Sequence, residues 1–222
     1  MKKPFLQFNK AFTLAEVLIT LVIIGVVAAL AISPLINTYV ESSTVAKVKK
    51  GLSIIGQAKK LAEVQNGSIE GWYFDGMQSA EDAVKFMRYI KPHLAIAKDC
   101  GSGSECYQSN GVYQLNGSLH SQNYNSDNKY YKFVLSDGSV MWFAVYEGKC
   151  SSTMVGIENS CAVFYYDVNG DKKPNTIGRD IFCYIINPDG VYPPLSNDCG
   201  KNNLGWGCAA YIIKNGNMKY LH

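Results

Sequence analysis

Two places in the sequence hold residues whose type and spacing suit particular chemistry. One is the stretch Asp167-Val168-Asn169-Gly170-Asp171, followed by Asp180. Oxygen donors alternating at Asp167, Asn169 and Asp171, with Asp180 further on, are the kind a hard cation such as Ca²⁺ takes. The spacing is not that of an EF-hand, which wants Gly and Glu where this chain has Lys172 and Gly178. The competing reading is an Asx-turn loop, in which these side chains cap backbone groups and pair with Lys172, Lys173 and Arg179. The other place is Glu16, the only charged residue between Phe12 and Ile32. That run matches the roughly 20 apolar residues a helix needs to cross a bilayer. A carboxylate near the centre of such a helix costs about 2.5 to 3.5 kcal/mol, less toward an end, so Glu16 implies a partner.

Catalytic signals are poor. The chain has no G-x-S-x-G, no H-E-x-x-H and no Walker loop, and its three histidines, His93, His120 and His222, are scattered. The sequence therefore points away from an enzyme. Seven cysteines, Cys100, Cys106, Cys150, Cys161, Cys183, Cys199 and Cys208, fit an oxidising compartment. Neighbours along the chain suggest Cys100 with Cys106, Cys150 with Cys161, and Cys199 with Cys208, although six cysteines allow many other connectivities. Cys183 would be the odd one, a small buried hydrophobe in the apolar run Ile181 to Ile186. A metal site built on cysteine is weak, since there is no C-x-x-C.

Charge excludes another class. With Lys2, Lys3 and Lys10 set aside, 18 basic and 18 acidic residues remain, and from residue 67 onward 13 basic face 15 acidic. Such a domain lacks the positive field of a nucleic-acid binder. The three early lysines, with few basic residues just after Ile32, put the N-terminus on the cytoplasmic side and the bulk of the chain outside.

The elements that must position these groups can be read in order. After Pro34 the apolar pattern becomes one-sided, with Val45, Val48, Leu52, Ile55 and Ala62 at helical spacing and lysines elsewhere. The helix is expected to run to about Gln65 and to stop at Asn66-Gly67. Ser79 caps a second helix over Ala80 to Ile90, ended by Lys91-Pro92. Asp99 to Cys106 reads as a loop, and Gln108 to Asn128 as irregular surface. Tyr130–Leu135 and Ser139–Tyr146, separated by Ser136-Asp137-Gly138, form a hairpin. Cys161–Val168 and Asp180–Asn187 add two more strands. A short helix ends at Asn215-Gly216, with Met218 to Leu221 extended. The fold class is α+β, a two-layer head in which a long N-terminal helix, half membrane-spanning and half amphipathic, packs on a small antiparallel sheet.

The order of features at the N-terminus, a short basic leader, a small residue, then Phe12-Thr13-Leu14-Ala15-Glu16 and the apolar helix, resembles type IV prepilins and type II secretion pseudopilins. Ala11 stands where the family usually has Gly, and Pro34 comes one residue later than the usual helix-kinking proline. The resemblance covers residues 10 to 34. Asp137-Gly138-Ser139 in the hairpin and the C-terminal ending are also similar to those of pseudopilin-like proteins. The resemblance implies that a prepilin peptidase cuts between Ala11 and Phe12 and methylates the amino group of Phe12. It makes Glu16 the residue of subunit assembly, facing the Phe12 ammonium of a neighbour. Some pseudopilins bind calcium near their C-terminal strands, which bears on Asp167, Asn169, Asp171 and Asp180.

On this reading residues 1–11 are a leader, 12–33 a transmembrane and assembly helix, 34–66 its amphipathic continuation and 67–222 a pilin-like periplasmic or extracellular head. The expected partners are identical or related pilin-like subunits, the peptidase, an inner-membrane assembly platform and lipid. The expected place is the bacterial inner membrane, single-pass, and then an extracytoplasmic filament of a secretion pseudopilus or pilus. Two other readings of the apolar run are a secretory signal cut after Ala29-Leu30-Ala31 and a plain signal anchor. The main functional alternative is a membrane-anchored binding module whose loops at 100–128 and 188–207 engage a ligand and which does not polymerise.

Overall fold

The computed structural model describes residues 12–72, 74, 78–107, 111–146 and 149–222. Ala11 and the leader lie outside them, as do residues 108–110 of the expected irregular surface. The chain divides into two units, one ending at Glu41 and one beginning at Ser42.

Helix α1 spans Leu14–Asn66. In the first unit its apolar side chains are exposed, Leu14 at 81% and Val22 at 65% among them. By length and composition this helix is able to cross a membrane. In the second unit the pattern turns one-sided, as the spacing of Val48, Ile55 and Ala62 requires. These three and Ala58 are fully buried, whereas Lys49, Ser53 and Lys60 are exposed.

That buried stripe lies on an antiparallel α+β head. Its strands are β1 (Ile96–Gly101), β2 (Tyr131–Leu135), β3 (Val140–Val145), β4 (Ser152–Met154), β5 (Ile157–Ser160), β6 (Ala162–Asp167), β7 (Ile181–Asn187) and β8 (Gly190–Tyr192). Six form one sheet in the order β1-β2-β3-β6-β7-β8, and β4 pairs with β5 in a separate hairpin that lies between Cys150 and Cys161, which are disulfide-bonded. Disulfides also join Cys100 to Cys106 and Cys199 to Cys208, and Cys183 is a buried free thiol. Helix α2 (Ala80–Ile90) starts where the Ser79 hydroxyl accepts the Asp82 N–H at 3.0 Å, and it buries Ala83, Phe86, Met87 and Ile90. Helix α3 (Cys208–Asn215) closes with Gly216 in the left-handed region.

Both faces of the sheet are buried. Phe133, Phe143, Phe164, Tyr166 and Tyr184 pack with α1 and α2. The alternate residues Trp142, Val163, Tyr165, Cys183 and Ile185 pack beneath Tyr107, Tyr124 and Tyr130. The two-layer expectation is thus extended by a third layer of irregular chain, which explains why the central strands read as unbroken apolar runs. Three other expectations change. Asp99, Cys100 and Gly101 belong to edge strand β1, whose polar composition and register shifts hid it. The hairpin β4–β5 and the short edge β8 had no clear alternation to reveal them. Lys219–Leu221 form a single 3-10 turn instead of an extended end. The reason is local: the Tyr220 ring is buried and its hydroxyl donates to the Gly178 carbonyl at 2.6 Å.

Helix and sheet are held by a close approach and by three lysines. The Tyr184 hydroxyl donates to the Val48 carbonyl at 2.7 Å. Lys47 donates to the Val168 carbonyl at 2.6 Å, Lys50 pairs with Asp137 at 2.8 Å, and the buried Lys59 reaches Glu63 at 2.7 Å and the Pro188 carbonyl at 2.8 Å. A Cβ at Gly51 would stand 2.6 Å from the Tyr166 ring, so only glycine admits this packing. Gly56 has nothing within 4 Å of the same position.

Two outcomes follow for the detergent-solubilised full chain. Alanine stabilises a helix by about 1 kcal/mol over glycine, and overpacking a core costs about 1 to 3 kcal/mol. Gly56→Ala is therefore expected to raise the melting temperature and Gly51→Ala to lower it; a rise in both would show that α1 does not lie this close to Tyr166. The second outcome concerns pH. Burial alone would raise the Asp137 pKa, but bonds from Lys50 and Ser139 and the Lys50 charge outweigh it and hold the carboxyl at about 2. A depressed folded pKa gives stability that is present above the unfolded value of about 4 and is lost as pH falls toward about 2. Lys50→Met should lower the urea midpoint at neutral pH, and the gap to the parent should close across that acid window. A gap independent of pH would remove the ion pair from the account.

Candidate functional site

At the N-terminus, the site begins with the first turn of α1. The Glu16 carboxylate accepts the Thr13 N–H and the Thr13 hydroxyl through the same oxygen, Oε2, each at 2.8 Å. In return Thr13 Oγ1 accepts the Glu16 N–H at 3.2 Å. This is a reciprocal capping box, Thr-x-x-Glu, which satisfies donors the helix cannot pair internally. The sequence carries that signature openly at residues 13 to 16, a partner for Glu16 within its own helix besides the one expected from a neighbouring subunit. Phe12 is exposed at 86% and Glu16 is exposed as well. The site therefore presents an acid, already held in register by its own helix, beside the residue whose amino group processing would release.

The acidic loop joins β6 to β7. Asp167 is the last residue of β6 and faces Ile181 across the register, with Asp180 immediately before β7. Asp180 is buried and accepts three N–H bonds: Asn175 N–H at 2.8 Å, Thr176 N–H at 2.6 Å and Asn169 Nδ2 at 3.2 Å. Asp167 Oδ1 accepts the Asn169 N–H at 3.2 Å, an Asx turn. Asp167 is fully buried, however, and beyond that turn only the Tyr107 hydroxyl serves its carboxylate; Asn169 Oδ1 is buried with no donor. Burial, and then the Asp180 and Asp171 charges, push the Asp167 carboxyl well above the usual carboxylate range, with the Asn169 N–H and the Tyr107 hydroxyl opposing. Burial also raises Asp180, against its N–H donors. Asp171 lies at the exposed edge of the loop.

These residues decide how well a cation fits. Among the described residues no three acidic, cysteine or histidine side chains converge. Carboxylates alone do not make a site, and the Asx-turn reading accounts for Asp180 and for one oxygen of Asp167. What remains is Asn169 Oδ1 beside the buried Asp167 carboxylate, oxygens that suit a hard cation and no soft one.

The loop is embedded in its surroundings. Gly170, at φ +73, approaches Gly138 so closely that a Cβ would meet its carbonyl oxygen at 2.6 Å. Tyr113 exchanges backbone bonds with Asn175 and Ile177 at 2.9 and 2.8 Å, and the Leu115 N–H meets the Leu204 carbonyl at 3.1 Å. The structure thus sets parts of the two loops at 100–128 and 188–207 side by side and lays the first against the acidic loop. The histidines take no part: His120 stacks on Tyr124 and meets the edge of Trp206.

Residues 7–32 match the family model of the prokaryotic N-terminal methylation motif. Comparisons with curated proteins and with solved structures returned no match. The matched span contains the expected cleavage point, the Thr13–Glu16 cap and the exposed apolar half of α1, and this motif is the signature of type IV prepilin-like proteins. The chain thus carries the signature of type IV prepilin-like proteins at the start of a long apolar helix, and an antiparallel sheet follows that helix.

Proposed function

We propose that the chain is a structural subunit of a type II secretion pseudopilus or type IV pilus-like filament. A prepilin peptidase removes residues 1–11 and methylates Phe12. The apolar half of α1 anchors the subunit in the inner membrane with the head outside. An assembly platform then draws it into a filament of identical or related subunits. The observation that carries this reading is the methylation motif over residues 7–32, with Glu16 posed at the first turn of an exposed apolar helix. An acid in hydrocarbon is penalised until it meets a cationic partner, so the Phe12 ammonium of a neighbour gives assembly its register.

A second proposal concerns the acidic loop. Calcium held at Asp167 and Asn169, with Asp171 at the rim, is favoured by a buried carboxylate facing two charges of its own sign and by the Asn169 Oδ1 that no donor satisfies. Bound there, it would supply positive charge to a buried carboxylate and tie β6 to the loop.

Glu16→Ala, expressed in the native host, tests the filament reading. Membrane insertion should be unchanged, because the apolar helix is intact, and recovery of the protein in sheared extracellular filaments should fall at least about tenfold, the effect of losing about 1.4 kcal/mol of pairing. Wild-type filament yield at equal abundance would contradict the role. In the alternative, an anchored binding module, the substitution would leave every function of the head in place.

A further inference from the structure

We infer that the far end of the apolar half of α1 is a surface for lipid headgroups: Leu35, Ile36, Tyr39 and Val40 lie in the headgroup layer on the outer face of the membrane, and Tyr39 anchors the helix there. This rests on the membrane anchoring proposed above and adds to it the place on the helix where the bilayer ends.

The first observation is length. Large apolar side chains are exposed along the helix from Leu14 to Val40, and those of Leu35, Ile36, Tyr39 and Val40 are exposed at 69%, 53%, 73% and 53%. At 1.5 Å per residue that stretch is about 40 Å long. Hydrocarbon alone takes about 30 Å of helix, and a bilayer with both headgroup layers about 40 to 45 Å. The run that ends at Ile32 therefore fills the hydrocarbon, and residues 35–40 fall in the next layer. Lipid contact is thus carried past the 12–33 span expected above.

The second observation is composition. Asn37 and Thr38 interrupt the apolar residues, and Glu41 follows them. Such a mixture is penalised in hydrocarbon for its polar groups and in water for its apolar ones. The headgroup layer accepts both. Tyr39 is the one aromatic residue of α1, and tyrosine is enriched at this depth because its ring is apolar while its hydroxyl stays hydrated.

The third observation is the side of the helix involved. Thr44, Val48 and Ile55 are buried and mark the stripe by which the second unit is packed. Carried back at helical spacing, that stripe meets Glu41 and Asn37. Leu35, Ile36 and Tyr39 lie off it, so their patch does not begin the seat on the sheet and needs a cover of its own.

The test is spin labelling of the full chain in vesicles of palmitoyl-oleoyl phosphatidylethanolamine and phosphatidylglycerol, read as accessibility to dissolved oxygen and to a water-soluble nickel chelate. The free thiol, Cys183, is buried, so an introduced cysteine takes the label. Labels on Ile24→Cys should favour oxygen, labels on the exposed Ala46→Cys should favour nickel, and labels on Tyr39→Cys should fall between them. Ile36→Cys should give the same intermediate reading with Tyr39 in place, and it serves if Tyr39→Cys does not insert. Added to Ile36→Cys, Tyr39→Ser should raise nickel access and Tyr39→Trp should not; equal access in the two would remove the anchoring role. Labels at 36 and 39 as open to nickel as the label at 46, with the label at 24 still shielded, would put the patch in water and overturn the inference while the membrane reading stands. Nickel access at 24 would overturn both. Broadening between labels at 39 that vanishes on dilution with unlabelled chain would show a second copy covering the patch in place of lipid, which also overturns it.

Discussion

A carboxylate on an apolar helix must find donors or a cation before the helix can rest in hydrocarbon. In this chain the first donors are internal. Thr13 gives its N–H and its hydroxyl to Glu16 Oε2, and Glu16 returns a bond to the threonine hydroxyl. The same three bonds start α1. Helix initiation and the partial neutralisation of the acid are thus one event, encoded in four residues. Under the proposed function this matters for an unassembled subunit, which carries Glu16 before any neighbour is present. The cis bonds to Thr13 lower the cost of waiting, and a partner ammonium, carrying a full charge, can outbid them.

The second half of α1 depends on a different constraint, the tight seat of a helix on an aromatic sheet. Gly51 admits the Tyr166 ring, the Tyr184 hydroxyl ends on a helix carbonyl, and Lys47, Lys50 and Lys59 reach over to the strand-end loops. Lys47 ends on Val168, the residue after Asp167. Lys50 ends on the β2–β3 turn, against which Gly170 packs. The acidic loop therefore sits where the sheet grips the helix, so its closure is coupled to that grip through packed groups and not through the sheet alone.

Much of this was legible in the sequence, for identifiable reasons. The central strands and α2 announced themselves because burial and capping leave strong local patterns: unbroken aromatic and β-branched runs, and Ser79 before an amphipathic stretch. The cysteine neighbours are also bonded in the structure. Edge strand β1 was hidden because an edge is polar and irregular, and Asp99-Cys100-Gly101 reads as a loop until β2 pairs with it. The third layer was hidden because Tyr107 and Tyr124 are dispersed in a polar segment and become a core, with Tyr130, only when folded over Trp142 and Tyr165. At the acidic loop the candidate residues were visible but their roles were not. Side-chain type does not show that Asp180 is saturated by backbone N–H groups from residues 175 and 176, whereas Asp167 is not.

A filament subunit of this kind must be cut between Ala11 and Phe12. Mass spectrometry of the protein extracted from membranes of its native host reads this directly. The expected mature chain begins at Phe12 with one methyl group on its amino nitrogen and retains the whole apolar helix. A chain that begins at the intact Met1, or one cut after Ala31 so that it starts at Ile32, would contradict it.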